Sequence, residues 1–321
     1  MSEKIQRKSI TELLGIKYPI IVAPMFLVSN ADMVIAALRA GCTAAIPALN
    51  YRTQDELRRA IKHIRSTEKG PIGINLIVNK SNVRLAKDLD VCIEEGIDYY
   101  ITSLGSPKEV IRRAHEKGSL VFCDVVNAEY AIKVQELGAD AVIAVNNSAG
   151  GHAGPKDMRT LLTELKGQVS IPIISAGGVG DSSDLKAAMD MGASGVSVGS
   201  IFIASLEAPV GEDYKDAIVQ YGKEDIVMTT RLSGTPCTVI KTPYVEKQGL
   251  EPTFLERLMK TKQLKKLVKM ILFVRGMKKL RKAAYDFTYQ KVWCAGPSIE
   301  KVQSIRPMAD IISDLVSQIE S

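Results

Sequence analysis

The chain has 321 residues, 46% hydrophobic and 24% charged, with a net charge of +6. That length supports one large domain or two ordinary ones, and aromatics at 5% imply a core of Ile, Val, Leu, Ala and Met. The charge is local: residues 260–282 hold eight lysines, two arginines and no acid, leaving the remainder acidic, which excludes a protein that coats nucleic acid.

In chain order, the opening MSEKIQRKSI has no apolar centre, so no signal peptide is expected. Eight short apolar runs follow: IIVA (20–23), TAAIP (43–47), IGINL (72–76), IDYYI (97–101), LVFCDV (120–125), AVIAV (141–145), PIISA (172–176) and GVSVG (195–199). Segments with helical apolar spacing separate them, such as DELRRAIKHIRS and AEYAIKVQELGAD, and several end in glycine, a common helix stop. Strand and helix alternating at this spacing read as βα units around a parallel sheet. Eight such units predict an α/β protein, a (β/α)8 TIM barrel over residues 1–208. A doubly wound open sheet would usually carry GxGxxG after its first strand, whereas PMFLVSN follows IIVA here.

The alternation stops near residue 208. Residues 209–297 read as a helical, basic, lid-like insertion after strand eight, and 298–321 as a C-terminal helix packing back on the barrel. No run is long enough to span a membrane. The five cysteines are odd in number and widely separated, which predicts reduced thiols and a cytoplasmic protein.

In a barrel of this kind the active site lies at the carboxyl ends of the strands. Strand seven runs into AGGVGD (176–181) and strand eight into VGSIF (198–202). Glycine turns let backbone N–H groups approach phosphate oxygens, so a phosphate-bearing ligand, rather than a plain pair of tight βα turns, is expected at these two turns, which contain Ala176-Gly177-Gly178 and Gly199-Ser200. NNSAGGHAGP (146–155) puts His152 after strand six, on the same face and on a bare backbone, where an imidazole can accept or donate a proton. His63 and His115 fall in charged helical patterns and are expected at the surface. No nucleophile elbow and no metal-ligand spacing are present.

APM (23–25), GINL (73–76), AGGHAG (149–154), SAGGV (175–179) and VGSIF (198–202), in that order, resemble the FMN-dependent nitronate monooxygenase family, formerly the 2-nitropropane dioxygenases. That family merges by sequence with flavin-dependent enoyl-acyl-carrier-protein reductases. TTRLSGTPCTVIKT (229–242) and VWCAGPSIEKV (292–302) are similar to segments near the end of the same proteins. The resemblance implies a bound FMN. Ala23, Pro24 and Met25 would lie beside the flavin ring and Asn75 at its pyrimidine edge. Gly150 and Gly151 would pack near the flavin, and Gly177, Gly178, Gly199 and Ser200 would hold the phosphate. His152 would face the substrate.

Two positions depart from the family pattern. Ser148 stands where an acid commonly precedes AGGH. Asp124 stands near the flavin N1/O2 locus, where the reductase-like branch often carries a base; ionised, it would lower the flavin's reduction potential. The resemblance implies oxidation of an alkyl nitronate by oxygen to a carbonyl compound and nitrite. NAD(P)H-dependent reduction of an enoyl thioester or a quinone is the alternative, and a flavin-binding protein without catalysis the third reading. Leu264, Leu267, Val268, Ile271 and Leu272 form one stripe of a lysine-framed helix at 258–282. It reads as a docked lid, a contact for an acidic partner such as an acyl carrier protein, or a membrane-surface helix. The other expected partner is a small-molecule substrate, and a homodimer stays open.

Overall fold

The computed structural model describes residues 7–230, 236–250 and 292–319. After a short first helix α1 (Ile10–Leu14), strands β1 (Ile20–Val22), β2 (Thr43–Pro47), β3 (Ile72–Ile77), β4 (Tyr99–Ser103), β5 (Leu120–Val125) and β6 (Ala141–Val145) follow in order. A two-residue outlying strand β7 (Gly151–His152) comes next, then β8 (Ile173–Ala176) and β9 (Gly195–Val198). All but β7 pair in parallel and close into a barrel, β9 joining β1 with Ile21 opposite Ser197. The sequence expectation of a (β/α)8 TIM barrel is met.

The strands read as continuous apolar runs because both of their faces are covered. Ile21, Ala45, Tyr99, Ile101, Phe122, Ile143 and Ile174 point inward and fill the barrel, while neighbours such as Ile20, Val22, Ala44 and Ile46 face the helices. Helix α1 closes the amino end: Ile10 packs with the interior residues and its N–H donates to Ser194 O at 3.0 Å. The other end is left open.

Helices α2 (Ala31–Arg39), α3 (Gln54–Thr67), α4 (Leu85–Glu94), α5 (Lys108–His115), α6 (Ala128–Glu136), α7 (Met158–Lys166) and α8 (Ser182–Asp190) surround the sheet. Side-chain caps start five of them: Asn30, Thr53, Asn127, Asp157 and Asp181 each accept a hydrogen bond from an N–H of the first turn. Removing such a cap costs about 1 kcal/mol. His63 and His115 lie on α3 and α5 with their rings 56% and 41% exposed, at the surface as expected.

Two details differ from the sequence expectation. β4 begins at Tyr99, two residues later than IDYYI suggests, because the Asp98 carboxylate accepts hydrogen bonds from the Ile72 N–H and Arg65 and turns the chain before pairing begins. The stretch from 209 is not wholly helical. After α9 (Glu212–Gln220) come β10 (Ile226–Thr229) and β11 (Cys237–Ile240), and then α10 (Pro243–Gln248). β10 and β11 run antiparallel, and β11 pairs with β7. These runs lie outside the barrel's alternation and find their partners only in three dimensions. The lysine-rich helix expected at 258–282 lies outside the described residues.

The last helix, α11 (Met308–Val316), packs against both α2 and α8, where the eighth barrel helix belongs. Met308, Ile311, Ile312, Leu315 and Val316 are its buried face, spaced three to four residues apart. No helix among the described residues is long and apolar enough to cross a membrane.

Candidate active site

The open end of the barrel leads into a cavity of about 800 Å³, in the range of small-molecule sites. Every residue singled out from the sequence lines it: Ala23, Pro24 and Met25; Asn75; Asp124; Gly150, Gly151 and His152; Ala176, Gly177 and Gly178; Gly199 and Ser200. Ser148 lines it too.

The loop after β1 is held by its own polar atoms. The Ala23 N–H donates to Val198 O, the Met25 N–H to Ser29 Oγ at 2.8 Å, and Ser29 Oγ to Ala23 O. Asn50 clamps the same loop, donating to Met25 O and accepting from the Leu27 N–H. Leu27 and Leu104 are the non-glycine residues with positive φ, 61° and 63°, among those described, and both line the cavity. Left-handed leucines are strained and persist where surrounding structure holds them.

A buried relay crosses the floor. Asn75 Nδ2 donates to Ile101 O and, at 2.9 Å, to Ser103 Oγ, and Ser103 Oγ donates to Asp124 Oδ2 at 2.5 Å. Both amide hydrogens of Asn75 are therefore engaged, which leaves Oδ1 as the atom it can offer a ligand. Burial raises the Asp124 carboxyl to about 6, against the Ser103 hydrogen bond that favours ionisation.

His152 is carried on β7. Its fractional exposure is high, yet surrounding protein desolvates the ring and lowers its pKa below 6.5. The two observations agree because the surface it shows faces the cavity. The loop before it is set by Asn146, which is 1% exposed. Asn146 Oδ1 accepts from the Ser148 N–H and Nδ2 donates to Gly177 O at 2.9 Å, tying the turn after β6 to the turn after β8. Gly177 has φ +108°, and a Cβ there would stand 2.4 Å from Asn146 Oδ1. At Gly150 a Cβ would meet Ser200 Oγ at 2.8 Å. Glycine is required at both places by close approach. From the far side, Thr238 Oγ1 on β11 donates to Ala149 O at 2.5 Å.

The turns after β8 and β9 lie side by side and bring the backbone of Gly177–Gly178 and Gly199–Ser200 to one end of the cavity, with Ser298 beside them. The acids lining the cavity, Asp124 and Glu129, come from β5 and α6, three strands round the barrel from β9. Backbone donors and hydroxyls at one end and a glycine-edged slot along the wall suit a planar group that carries a phosphate.

Sequence reasoning missed several lining residues. Ser103 fell beyond the expected end of its strand. Tyr214 fell in the expected insertion, while Cys237, Trp293, Cys294 and Ser298 lie in the two late segments likened to the family, TTRLSGTPCTVIKT and VWCAGPSIEKV, but were given no role. The Tyr214 and Trp293 rings stack at 5.5 Å, and Tyr214 Oη donates to Cys294 O. The fragment VWCAGPS was the available signal, an aromatic beside a cysteine in a Gly-Pro loop.

A family model described as nitronate monooxygenase matches residues 7–318. A (3aS,4S,5R,7aS)-5-hydroxy-7a-methyl-1-oxo-octahydro-1H-indene-4-carboxyl-CoA dehydrogenase of Mycobacterium tuberculosis is 33% identical over 75% of this chain and 68% of its own. A probable nitronate monooxygenase of Staphylococcus saprophyticus is 29% identical over 75% of this chain and 80% of its own. Among solved structures, FabK from Thermotoga maritima superposes with a TM-score of 0.84 at 28% identity, covering 98% of this chain and 97% of that one.

Proposed function

The chain belongs to the nitronate monooxygenase family of flavin-dependent oxidoreductases, and from that premise we propose that it binds FMN and oxidises alkyl nitronates with oxygen to carbonyl compound and nitrite. Ala23, Pro24 and Met25 would flank the flavin ring, and Asn75 Oδ1 would accept from its pyrimidine edge. Gly150 and Gly151 would pack near the ring. Gly177, Gly178, Gly199 and Ser200, with Ser298, would hold the phosphate. FMN, when bound, supplies the electron acceptor.

The observation that carries this reading is the desolvated imidazole of His152 on the cavity wall. A pKa below 6.5 leaves the ring neutral at pH 7, so one ring nitrogen is free of a proton and can take the α-proton of a neutral nitroalkane. The same ring can hold a preformed nitronate in place by donating a hydrogen bond to its nitro oxygens.

A second reading is NAD(P)H-dependent reduction of an enoyl thioester. Leu27, Leu104, Val126, Val210 and Trp293 give the cavity an apolar wall, which suits an acyl chain. The similarity to FabK and to a CoA-thioester dehydrogenase points the same way. An acyl carrier protein would then be a partner for the lysine-rich segment 258–282, which lies outside the described residues.

An anaerobic visible spectrum decides between them. The protein, loaded with FMN, is titrated with a small alkyl nitronate and then with NADPH. Bleaching by the nitronate alone supports the first reading, and bleaching only after NADPH supports the second. Bleaching by neither points to a flavin carrier, and failure to take up FMN removes all three.

A further inference from the structure

We propose that Cys237 and Cys294 form a redox-active dithiol in the cavity wall, which a hydroperoxide converts to a disulfide. This inference stands whether or not the substrate reading above holds. The two Sγ atoms are 3.8 Å apart, in van der Waals contact, although 57 residues separate them in the chain. Both residues line the cavity, so a small oxidant that enters it meets them. Cys42, Cys92 and Cys123 are buried as Cys237 is, but they do not line the cavity.

The backbone already brings the pair together. Cys237 sits on β11, whose Ile240 N–H donates to Trp293 O at 2.8 Å, one residue before Cys294. The Cys294 carbonyl accepts from Tyr214 Oη at 2.6 Å, and two residues on, the Gly296 N–H donates to Ser200 Oγ at 2.9 Å. Both segments are thus anchored side by side. The two sulfurs, already in contact, then have only to close to the bonding distance of about 2.05 Å.

Cys294 is also unlike the other four thiols, since Cys237 is itself raised by its hydrogen bond to Cys294 and by burial. Burial pushes Cys42 and Cys123 up to about 12. Cys294 moves the other way, because the Cys237 thiol donates to its sulfur and favours the thiolate. Cys294 is the half-buried thiol of the pair, whereas Cys237 is 3% exposed, so a peroxide in the cavity meets Cys294 first: it is the nucleophile and Cys237 the resolving thiol.

The step balances. Cys294 gives up its proton, and its sulfur attacks the terminal oxygen of the hydroperoxide. The O–O bond breaks, leaving Cys294 as a sulfenic acid and the alkoxide, which takes the released proton to become an alcohol. Cys237 Sγ then attacks the sulfenic sulfur; an S–S bond forms, the S–O bond breaks, and water leaves with the Cys237 proton. The thiols lose two electrons to the peroxide oxygen. The new bond ties β11, and with it the register partner of His152, to the Gly296 segment that meets Ser200.

The test treats the reduced protein, with cofactor as isolated, with a small excess of hydrogen peroxide and then denatures it for thiol titration and non-reducing tryptic mapping. Arg231, Lys241, Lys291 and Lys301 bracket the two peptides. The expected result is a fall from five free thiols to three, with a 232–241/292–301 linked pair that a dithiol reductant separates. Cys237→Ser should abolish the link and leave a sulfenic acid at Cys294 that dimedone traps, while Cys42→Ser keeps the link. Unlinked wild-type peptides after peroxide, or a link between other cysteines, would overturn the proposal without reference to any variant's folding.

Discussion

His152 and Cys237 are register partners in a two-residue antiparallel ladder, one on the loop after the sixth barrel strand and the other beyond the barrel's end. The histidine that faces the cavity is therefore positioned by a segment 85 residues away in the chain, through backbone pairing and the Thr238 bond to Ala149 O. What happens at β11 is felt at the site.

The His152→Asn variant should lose activity toward neutral nitroalkanes by about 10²–10⁴-fold, the usual worth of a general base. Preformed nitronates, which have no α-proton to surrender, should be hit less. Because desolvation holds the imidazole below 6.5, the wild-type rate with neutral nitroalkane should fall only on the acid side of that pH. Steady-state kinetics on the two substrate forms checks this, and equal losses on both would exclude the base role.

Thr238→Val removes the hydroxyl that donates to Ala149 O and leaves a buried carbonyl with a weaker set of partners. The expected cost is about 1–3 kcal/mol. The loop that carries His152 should loosen with it, raising KM more than a cap mutation on a distant helix such as Thr53→Ala. Denaturant melts and kinetics on the two variants give the comparison.

Asp124 destabilises the ligand-free protein at neutral pH. Its folded carboxyl titrates near 6, above an ordinary aspartate, so the folded state holds a proton that the unfolded chain releases. Stability is intact below the unfolded value and is lost as pH rises through about 6, by up to about 3 kcal/mol. Asp124→Asn keeps an acceptor for Ser103 and should raise Tm at pH 8 while gaining only a fraction of that at pH 4. An equal gain at both pH values would mean that ionisation is not the cause.

Leu104 is a left-handed leucine, 40% exposed, on the cavity wall. Leu104→Gly relieves roughly 1–2 kcal/mol of backbone strain, against a loss of side-chain contact. The variant should fold with undiminished stability yet bind bulky apolar substrates more weakly, with a KM effect that grows with substrate size. A KM unchanged across a size series would remove Leu104 from the substrate surface.

The sequence by itself determined the barrel and the strand ends that build the site. Each strand is a short apolar run bounded by its own helix cap or glycine stop, so local periodicity carries the whole repeat, and AGGVGD, VGSIF and AGGHAG mark where the backbone must stay bare. Only the tertiary structure decided the rest. Ser103, Asn146 and Thr238 matter through hydrogen bonds to residues 21, 31 and 89 positions away. β10 and β11 gain their partners outside the barrel, and Cys237 meets Cys294 only once β11 lies against the 292–296 segment. Periodicity reports burial within an element, whereas these contacts join elements distant in the chain, and no local spacing encodes which pair will meet.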